Sequence, residues 1–250
     1  MLLCHNLCGN KEKYPLSSNT LNVAVTKTFE CSYIPGNQER LLVIQENQLN
    51  DHLFEQLLAM GFRRNGNAIY KPHCGACQQC VSIRVPALDF IPSKRQKRTL
   101  KANQHIHWQV SHQASEHHFP LYCRYINQRH NDGPMFPPTS QQYNEFLDCD
   151  WLEPTFIELF DGEKLIGVAV TDMLPNSLSA IYSYFDPDYE KNSLGSLMIL
   201  LQCELAKEMG KQFVYLGYQI DDNIKMRYKR QYRPYQLLTA SGWQIHQQLS

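Results

Sequence analysis

Residues 155–216 carry the pattern that most restricts what this chain can fold into. Four strand patterns lie in this stretch, at residues 155–160, 164–173, 178–185 and 213–216. Asp161-Gly162 between the first two is typical of a tight hairpin turn, and apolar residues at helical spacing run from Ser193 to Gly210 between the last two. We therefore expect an antiparallel meander, then one long helix, then one further strand.

The loop before this helix indicates what kind of ligand the domain holds. A meander followed by a helix and a strand is the core of the acetyltransferase-like (GNAT) fold, in which backbone amides of that loop hold the pyrophosphate of acyl-CoA at the helix N-terminus. Here the loop spans residues 191–197, keeps one glycine at Gly195, and has Leu197 where a second small residue is expected. We therefore predict a GNAT-like domain whose acyl donor is not CoA.

The first half of the chain predicts a smaller α+β unit. A strand pattern is followed by a helix pattern between Asn50 and Gly61, and residues 115–149 form helical patterns interrupted by prolines. We expect an α+β protein with a soft domain boundary. Residues 1–112 would form an N-terminal domain with a cysteine cluster and a basic helix, and residues 113–250 a GNAT-like domain with a mostly antiparallel sheet.

A short basic segment is the main sign of a nucleic-acid partner. The 24 Lys and Arg residues balance 24 Asp and Glu residues, so a local patch must attract nucleic acid if one binds. Residues 94–101 predict a helix that begins after Ser93 and has no acidic neighbour for its cations. These cations are Lys94, Arg95, Lys97, Arg98 and Lys101. We predict that they bind phosphates, and a solvated helix face is the alternative.

The distribution of apolar residues and cysteines bears on where the protein works. No apolar run approaches the roughly 18 residues needed to cross a membrane, and the first residues lack a secretion signal. We therefore expect a cytoplasmic protein with no membrane partner. Nine cysteines in such a chain suggest reduced thiols or metal ligands rather than disulfides.

Three of these cysteines form a close cluster. Cys74, Cys77 and Cys80 are separated by two residues each, and Cys31 or His73 could supply a fourth ligand. Such a set suits tetrahedral zinc or an iron–sulfur cluster. The alternative is that these cysteines lie near the substrate site and act through packing or redox sensing.

Several ordered segments of the chain resemble the bacterial aspartate/glutamate leucyltransferases, which are relatives of the eukaryotic arginyl-tRNA-protein transferases. The resemblance covers about residues 28–243. Its segments are Cys31-Ser32-Tyr33-Ile34-Pro35, Gly61-Phe62-Arg63-Arg64, Tyr70-Lys71-Pro72-His73-Cys74-Gly75-Ala76-Cys77-Gln78-Gln79-Cys80-Val81-Ser82-Ile83-Arg84, Arg129-His130-Asn131-Asp132-Gly133, Tyr182-Ser183-Tyr184-Phe185-Asp186-Pro187, Ser193-Leu194-Gly195, Leu216-Gly217-Tyr218 and Lys225-Met226-Arg227-Tyr228-Lys229.

The resemblance implies an aminoacyltransferase. Such an enzyme moves leucine from leucyl-tRNA to the α-amine of proteins that begin with Asp or Glu, and so marks them for degradation. Arginyl-tRNA stays open as the donor, because the eukaryotic relatives use arginine. An amide replaces an activated ester in this reaction, so no ATP or redox cofactor is required. A CoA-dependent N-acetyltransferase and a non-enzymatic tRNA- or metal-binding module are the alternative functions.

Three residues at strand ends are the candidates for the catalytic centre. Asp186 would accept a hydrogen bond from the attacking amine, and the hydroxyl of Tyr184 or Tyr218 would donate to the oxyanion or to the leaving oxygen. The alternative is structural, since Tyr184 fits a half-buried strand and Asp186-Pro187 fits its end.

The two substrates call for cations of different kinds. A carboxylate on the acceptor is bound best by arginine, which donates two parallel hydrogen bonds. The candidate acceptor-binding residues are Arg84, Arg129, His130 and Arg227. Residues 225–230 alternate cations with an aromatic ring, which suits the single-stranded acceptor end of tRNA. The candidate tRNA-binding residues there are Lys225, Tyr228, Lys229 and Arg230.

Overall fold

A computed structural model describes residues 21–45, 48–223 and 226–247. The helices are α1 (Asp51–Ala59), α2 (Lys94–Ala102), α3 (His118–Arg129), α4 (Ser140–Leu147) and α5 (Leu194–Glu208), with 3-10 helices at Pro187–Asn192 and Arg227–Gln231. The strands are β1 (Val23–Val25), β2 (Phe29–Glu30), β3 (Gln38–Glu39), β4 (Leu41–Ile44), β5 (Arg63–Asn65), β6 (Ala68–Pro72), β7 (Val81–Pro86), β8 (His107–Ser111), β9 (Pro154–Asp161), β10 (Lys164–Met173), β11 (Ser177–Phe185), β12 (Phe213–Gln219), β13 (Tyr235–Thr239) and β14 (Gly242–His246).

An eight-stranded sheet forms the centre of the molecule. Its order is β14-β13-β7-β12-β11-β10-β9-β8, and its neighbouring strands run antiparallel apart from β11 and β12, which run parallel. The meander β9-β10-β11 is followed by α5 and then β12, as the sequence predicted. The predicted α+β class, with a mostly antiparallel sheet and a GNAT-like order of elements, is confirmed.

The larger core lies between this sheet and its helices. Apolar residues at helical spacing line α5, and Leu194, Met198 and Leu201 are buried there. Both α3 and α5 pack on β11, and α2 packs on α5. Burying a side chain of this size contributes roughly 1.5–3 kcal/mol, so this packing holds α2, α3 and α5 around β11.

A second core lies under a smaller sheet of order β1-β4-β6-β5. Helix α1 begins where the Asn50 side chain accepts a hydrogen bond from the Leu53 amide at 2.9 Å, and it buries Phe54. A fully buried ion pair between Arg64 of β5 and Asp172 of β10 joins the two parts of the molecule. The first residues of β5 are therefore fixed against the large sheet.

The structure also bears on the domain boundary and on the membrane. The division at residue 112 stays a prediction, although β7 and β8 precede it and pair within the eight-stranded sheet. In the part of the chain that the structure describes, no helix combines the length and the apolar character needed to span a bilayer.

Candidate functional site

The parallel strands β11 and β12 separate shortly after they meet. They pair only at three positions, Ser177, Leu178 and Ser179 of β11. Further along, residues 180–183 of β11 are only half-buried. In β12 the pairing with β7 shifts after Tyr215, and Gly217 has a φ of 85°, a value that favours glycine. The two strands thus splay apart around Gly217, and we call the space between them the splay.

Two cationic side chains enter the splay from outside these strands. Arg63, the first residue of β5, donates one hydrogen bond to Ser179 Oγ at 3.2 Å and another to the Ala180 carbonyl. Lys229 of the second 3-10 helix donates to the Tyr218 carbonyl at 2.6 Å. A Cβ placed on Gly217 would lie 3.7 Å from Lys229 Nζ and 3.8 Å from the Arg63 guanidinium carbon. Both cations therefore flank this glycine.

Neither cation of this pair has a direct ion-pair partner among the described residues, although Arg63 lies close enough to Asp172 for its charge to lower the pKa of that carboxyl. Arg63 is 7% exposed and Lys229 is 9% exposed, and neither forms an ion pair with any residue in the described ranges. Burial, together with the smaller effect of the positive charge of Arg63, lowers the pKa of Lys229 to about 7. The splay is thus a buried site that carries the charge of Arg63 and, as the pH falls below about 7, that of Lys229 as well.

Tyr218 borders the splay, but its hydroxyl already has a partner. The Tyr218 hydroxyl donates to the Gly61 carbonyl at 3.0 Å. Burial raises the pKa of Tyr218 well above its ordinary value, and the neighbouring Tyr70 adds to the rise. This phenol therefore stays protonated and bonded to the backbone, while its main-chain carbonyl holds Lys229.

The catalytic roles of Tyr184 and Asp186 stay predictions, and the structure places both side chains against partners within the protein. The Tyr184 ring is fully buried, and its hydroxyl shares a 2.7 Å hydrogen bond with that of Tyr143. Asp186 is 1% exposed and pairs with Arg124 at 2.9 Å and Lys164 at 2.7 Å. Both side chains are therefore buried and have hydrogen-bond or ion-pair partners within the protein.

The electrostatics of Asp186 agree with that structural position. Burial alone would raise the pKa of its carboxyl, but hydrogen bonds from Lys164 and the Asp188 amide, with the charge of Arg124, hold it below its ordinary value. The same carboxylate caps the 3-10 helix Pro187–Asn192. A carboxylate stabilised in this way is a weak proton acceptor.

Three residues predicted to bind the acceptor also have partners within the protein. The Arg84 guanidinium lies 3.6 Å from the Phe213 ring centre and 4.1 Å from that of Trp243. Arg129 pairs with Glu190 at 2.8 Å, and His130 Nε2 lies 3.1 Å from the Tyr125 hydroxyl. These side chains contact neighbouring parts of the protein, and their predicted role in binding the acceptor stays a prediction. The fourth, Arg227, is exposed on the second 3-10 helix.

Helix α2 presents a basic surface, as its sequence predicted. Its capping box forms between Ser93 and Gln96, and its cations Lys94, Arg95, Lys97, Arg98 and Lys101 are all exposed. None of the five pairs with an acidic side chain among the residues described. This surface is therefore available to an anionic partner.

Hydrogen bonds place this basic surface beside the second 3-10 helix and the start of α5. Gln96 Nε2 donates to the Gln231 carbonyl at 3.1 Å. Asn103 Nδ2 donates to the Asn192 carbonyl at 2.9 Å, and Asn192 Nδ2 donates back to Asn103 Oδ1 at the same distance. The cations of α2 thus lie next to the segment that carries Lys229.

The predicted tRNA-binding residues of that segment divide into three groups. Tyr228 is 40% exposed, and Arg230 is partly exposed and pairs with Asp221 at 2.8 Å. Lys229 is buried at the splay and donates to the Tyr218 carbonyl, and its contact with tRNA stays a prediction. Lys225 lies outside the described residues.

The predicted cysteine cluster lines one cavity. Cys31, Cys74, Cys77 and Cys80 contribute to the wall of a cavity of about 500 Å³. Burial raises the pKa of Cys80 to about 12, and Cys31 is the neighbour that contributes most to the rise. No three Cys, His, Asp or Glu side chains within the described ranges are arranged to hold a metal ion. The zinc or iron–sulfur assignment stays a prediction.

Sequence reasoning assigned no role to Arg63. It lies in the segment Gly61-Phe62-Arg63-Arg64 that carries part of the family resemblance, but nothing in that segment separates the roles of its two arginines. Their difference arises from contacts more than 100 residues away along the chain, with Ser179 for Arg63 and Asp172 for Arg64.

The order of elements is that of a GNAT-like fold. A family model described as "Arginine-tRNA-protein transferase, C terminus" matches residues 117–239, and one described as "Arginine-tRNA-protein transferase, N terminus" matches residues 29–98. The chain belongs to the arginine-tRNA-protein transferase family.

Curated relatives match almost the whole chain. An aspartate/glutamate leucyltransferase of Shewanella sp. (strain ANA-3) is 60% identical over 92% of this chain and 98% of that protein. Proteins of the same description from Shewanella oneidensis and Aeromonas hydrophila are 58% and 46% identical, over 93% and 89% of this chain and 99% and 94% of those proteins.

Solved structures are more distant. A crystal structure of FemX gives a TM-score of 0.46 at 8% identity, over 82% of this chain and 81% of that one. The structure of L-PGS from Bacillus licheniformis gives 0.44 at 11% identity, over 72% of this chain and 54% of that one. Likenesses at this level define no function.

Proposed function

We propose that this protein transfers leucine from leucyl-tRNA to the N-terminal amine of proteins that begin with Asp or Glu. Relatives described as aspartate/glutamate leucyltransferases, up to 60% identical along nearly the whole chain, support this assignment. The observation that carries it is the exposed basic surface of α2 next to a buried cationic site in the splay. Both substrates are anionic: aminoacyl-tRNA would bind the basic surface of α2, and the acidic peptide would bind at the splay.

The proposed reaction joins the two substrates in one step of acyl transfer. The neutral amine attacks the carbonyl carbon of the aminoacyl ester, a C–N bond forms, and the ester C–O bond breaks. The proton that the amine loses passes to the ribose oxygen that leaves. An amide replaces an ester, so the transfer needs no ATP.

The protein's main contribution would be to place the reactants. An N-terminal amine has an ordinary pKa of about 7.7–8.0, so much of it is already neutral near pH 8 and a strong base is unnecessary. Fixed cations in the splay disfavour the protonated amine and increase the neutral fraction. Alignment of two bound reactants supplies roughly 7–11 kcal/mol of the barrier reduction in favourable cases.

The donor would approach over α2. Phosphates of the tRNA acceptor stem would pair with the five cations of that helix, and the exposed ring of Tyr228 would stack on an unpaired base near the 3′ end. The aminoacyl ester would then lie toward the splay. We place this reaction in the cytoplasm, where charged tRNA is made, and the product would be a protein marked for degradation.

Arginyl transfer to the same acceptors is the second candidate, because the matching family models carry the description arginine-tRNA-protein transferase. Purified protein should be incubated separately with labelled leucyl-tRNA, arginyl-tRNA and acetyl-CoA, with peptides that begin with Asp, Glu or Lys. The proposal predicts label from leucyl-tRNA on the Asp and Glu peptides only. Label from arginyl-tRNA alone would replace leucine by arginine, and label from acetyl-CoA alone would reject the proposal.

A further inference from the structure

We infer that Arg63 and Lys229 together bind the side-chain carboxylate of the acceptor's first residue and so select Asp and Glu. This inference rests on the proposed function, because it names the residues that would read the acceptor in that reaction. The two side chains reach the splay from elements far apart in the sequence, β5 and the second 3-10 helix.

The first observation is that neither side chain has a direct ion-pair partner within the described ranges. Buried charged groups are normally paired, and Arg64 next in sequence follows that rule through its fully buried ion pair with Asp172. Arg63 and Lys229 are nearly as buried, at 7% and 9% exposure, but among the described residues they donate to neutral oxygens, namely Ser179 Oγ, the Ala180 carbonyl and the Tyr218 carbonyl. An anion bound between them would supply the missing partner.

The second observation is the free hydrogen-bonding capacity. A guanidinium carries five N–H donors and an ammonium carries three. Two donors of Arg63 and one of Lys229 bond to the protein among the described residues. The remaining donors suffice for the two oxygens of a carboxylate. Charge-assisted hydrogen bonds of this kind are about twice as strong as neutral ones.

The third observation is the position of the pair relative to the opening. Arg63 is fixed to β11 and Lys229 to β12, so each strand of the splay holds one cation. Gly217 between them is half-buried, as are residues 180–183. A peptide N-terminus that entered there would place a short acidic side chain against the cations and leave its amine toward the opening.

The depth of the pair favours a side-chain carboxylate over a tRNA phosphate. A phosphate in a nucleic-acid backbone is bulky and flanked by sugars, and the exposed cations of α2 already suit it. A carboxylate on one or two methylenes is small enough for a nearly closed site. Neutral Asn and Gln have nearly the same shape but would leave the charge of Arg63 without a direct partner and would not stabilise the protonated form of Lys229, so the site would disfavour them.

The main experiment compares matched peptides and a matched pair of variants. Transfer of labelled leucine is measured as kcat/KM for peptides that begin with Glu or with Gln, using the wild type, Lys229→Met and Lys211→Met. Lys211 is the control because its Nζ also donates to backbone carbonyls, those of Leu174 and Pro175 at 2.8 and 2.9 Å, but lies outside the splay. Thermal unfolding of each protein checks that it is folded.

We expect Lys229→Met to lower kcat/KM for the Glu peptide by about 10- to 100-fold, the range that corresponds to one charge-assisted hydrogen bond. For the Gln peptide, kcat/KM should change less than threefold, so Lys229→Met should lose the preference for Glu over Gln. Lys211→Met should retain that preference. An equal loss for both peptides by a folded variant, or no loss for either, would overturn the inference.

A second measurement uses the wild-type protein and needs no transfer. Because Lys229 is largely neutral at pH 8 in the free protein, a bound carboxylate would raise its pKa and cause proton uptake. Calorimetry at pH 8 in two buffers with different ionisation enthalpies should give more proton uptake for an Asp-starting peptide than for its Asn analogue. Equal uptake would contradict a role for Lys229 in carboxylate binding.

These readouts separate the two ideas. If the wild type transfers no leucine but binds the Asp peptide with extra proton uptake, the proposed reaction fails and the carboxylate site stands. If transfer to Asp and Glu peptides is efficient and Lys229→Met keeps the full Glu preference, the reaction stands and the carboxylate site fails.

Discussion

The basic surface of α2 leads to a quantitative prediction about salt. Four of its exposed cations, Lys94, Arg95, Lys97 and Arg98, occupy the first turns of the helix and pair with no acidic side chain within the described residues. We propose changing all four to Ala or Gln. Both residues have high helix propensity, and the capping box between Ser93 and Gln96 is left intact. Core packing should be unaffected because these side chains are exposed.

The magnitude follows from counterion release. Each phosphate contact contributes roughly 0.7–0.9 to the slope of log affinity against log salt, so four contacts contribute about 3. Raising salt from about 50 to 200 mM should therefore weaken tRNA binding by the wild type about 60-fold more than binding by the variant. At low salt the variant should bind tRNA more weakly than the wild type.

The assay is tRNA affinity as a function of salt, by filter binding or by the KM for leucyl-tRNA, with unfolding temperatures as a check. A double variant of Lys27 and Lys207, two exposed cations outside α2, serves as a control for general charge. A quadruple variant with the wild-type salt slope would refute tRNA binding by α2. If the control variant lowers the salt dependence of tRNA affinity as much as the quadruple variant does, tRNA binding depends on overall charge and not on the surface of α2.

Three further predictions concern stability and metal content. The pKa of Lys229 is about 7 in the folded state and about 10.4 in the unfolded state, so the unfolded chain binds more protons between these pH values. The free energy of unfolding of the wild type should therefore rise with pH across that window by a few kcal/mol relative to Lys229→Met. Urea titrations in which the two proteins show the same pH dependence would contradict this. Asp186→Asn should lower the free energy of unfolding by about 1–2 kcal/mol, a modest value because its partners Arg124 and Lys164 are partly exposed to solvent. The value of kcat should change little. The Asp186 contribution should be present above about pH 4 and lost as pH falls through its lowered folded-state pKa. A large loss of kcat at wild-type stability would instead support the catalytic role predicted for Asp186. Protein purified without oxygen should contain about one equivalent of zinc or an iron–sulfur cluster if the cysteine cavity is a metal site, and background metal would reject that assignment.

Local signals in the sequence predicted the elements of the fold well. The helix after Ser93, the cap at Asn50 and the hairpin at Asp161-Gly162 depend on neighbouring residues, and the structure contains all three. The meander, α5 and β12 follow from apolar periodicity within single segments. The hairpin of β13 and β14 was not predicted, although it adds two strands to the large sheet.

The candidate site depends on contacts that such signals do not contain. Lys229 lies among other cations, and only its tertiary position makes it buried while Arg227 is exposed. Asp186 ends a strand as expected, but its role depends on Lys164 and Arg124 from other elements. Arg63 was overlooked because its partners lie more than 100 residues further along the chain. Long-range pairing therefore decides which polar residues of this family's segments meet.

The most direct test of the account is the product itself. Purified protein, leucyl-tRNA and a peptide beginning with Glu should be analysed by fragment mass spectrometry, beside the same peptide with an acetylated N-terminus and one beginning with Gln. The account predicts one leucine added to the α-amine of the Glu peptide, none on the acetylated peptide, and little on the Gln peptide. A Glu peptide that stays unmodified, or leucine found equally on all three peptides, would contradict it.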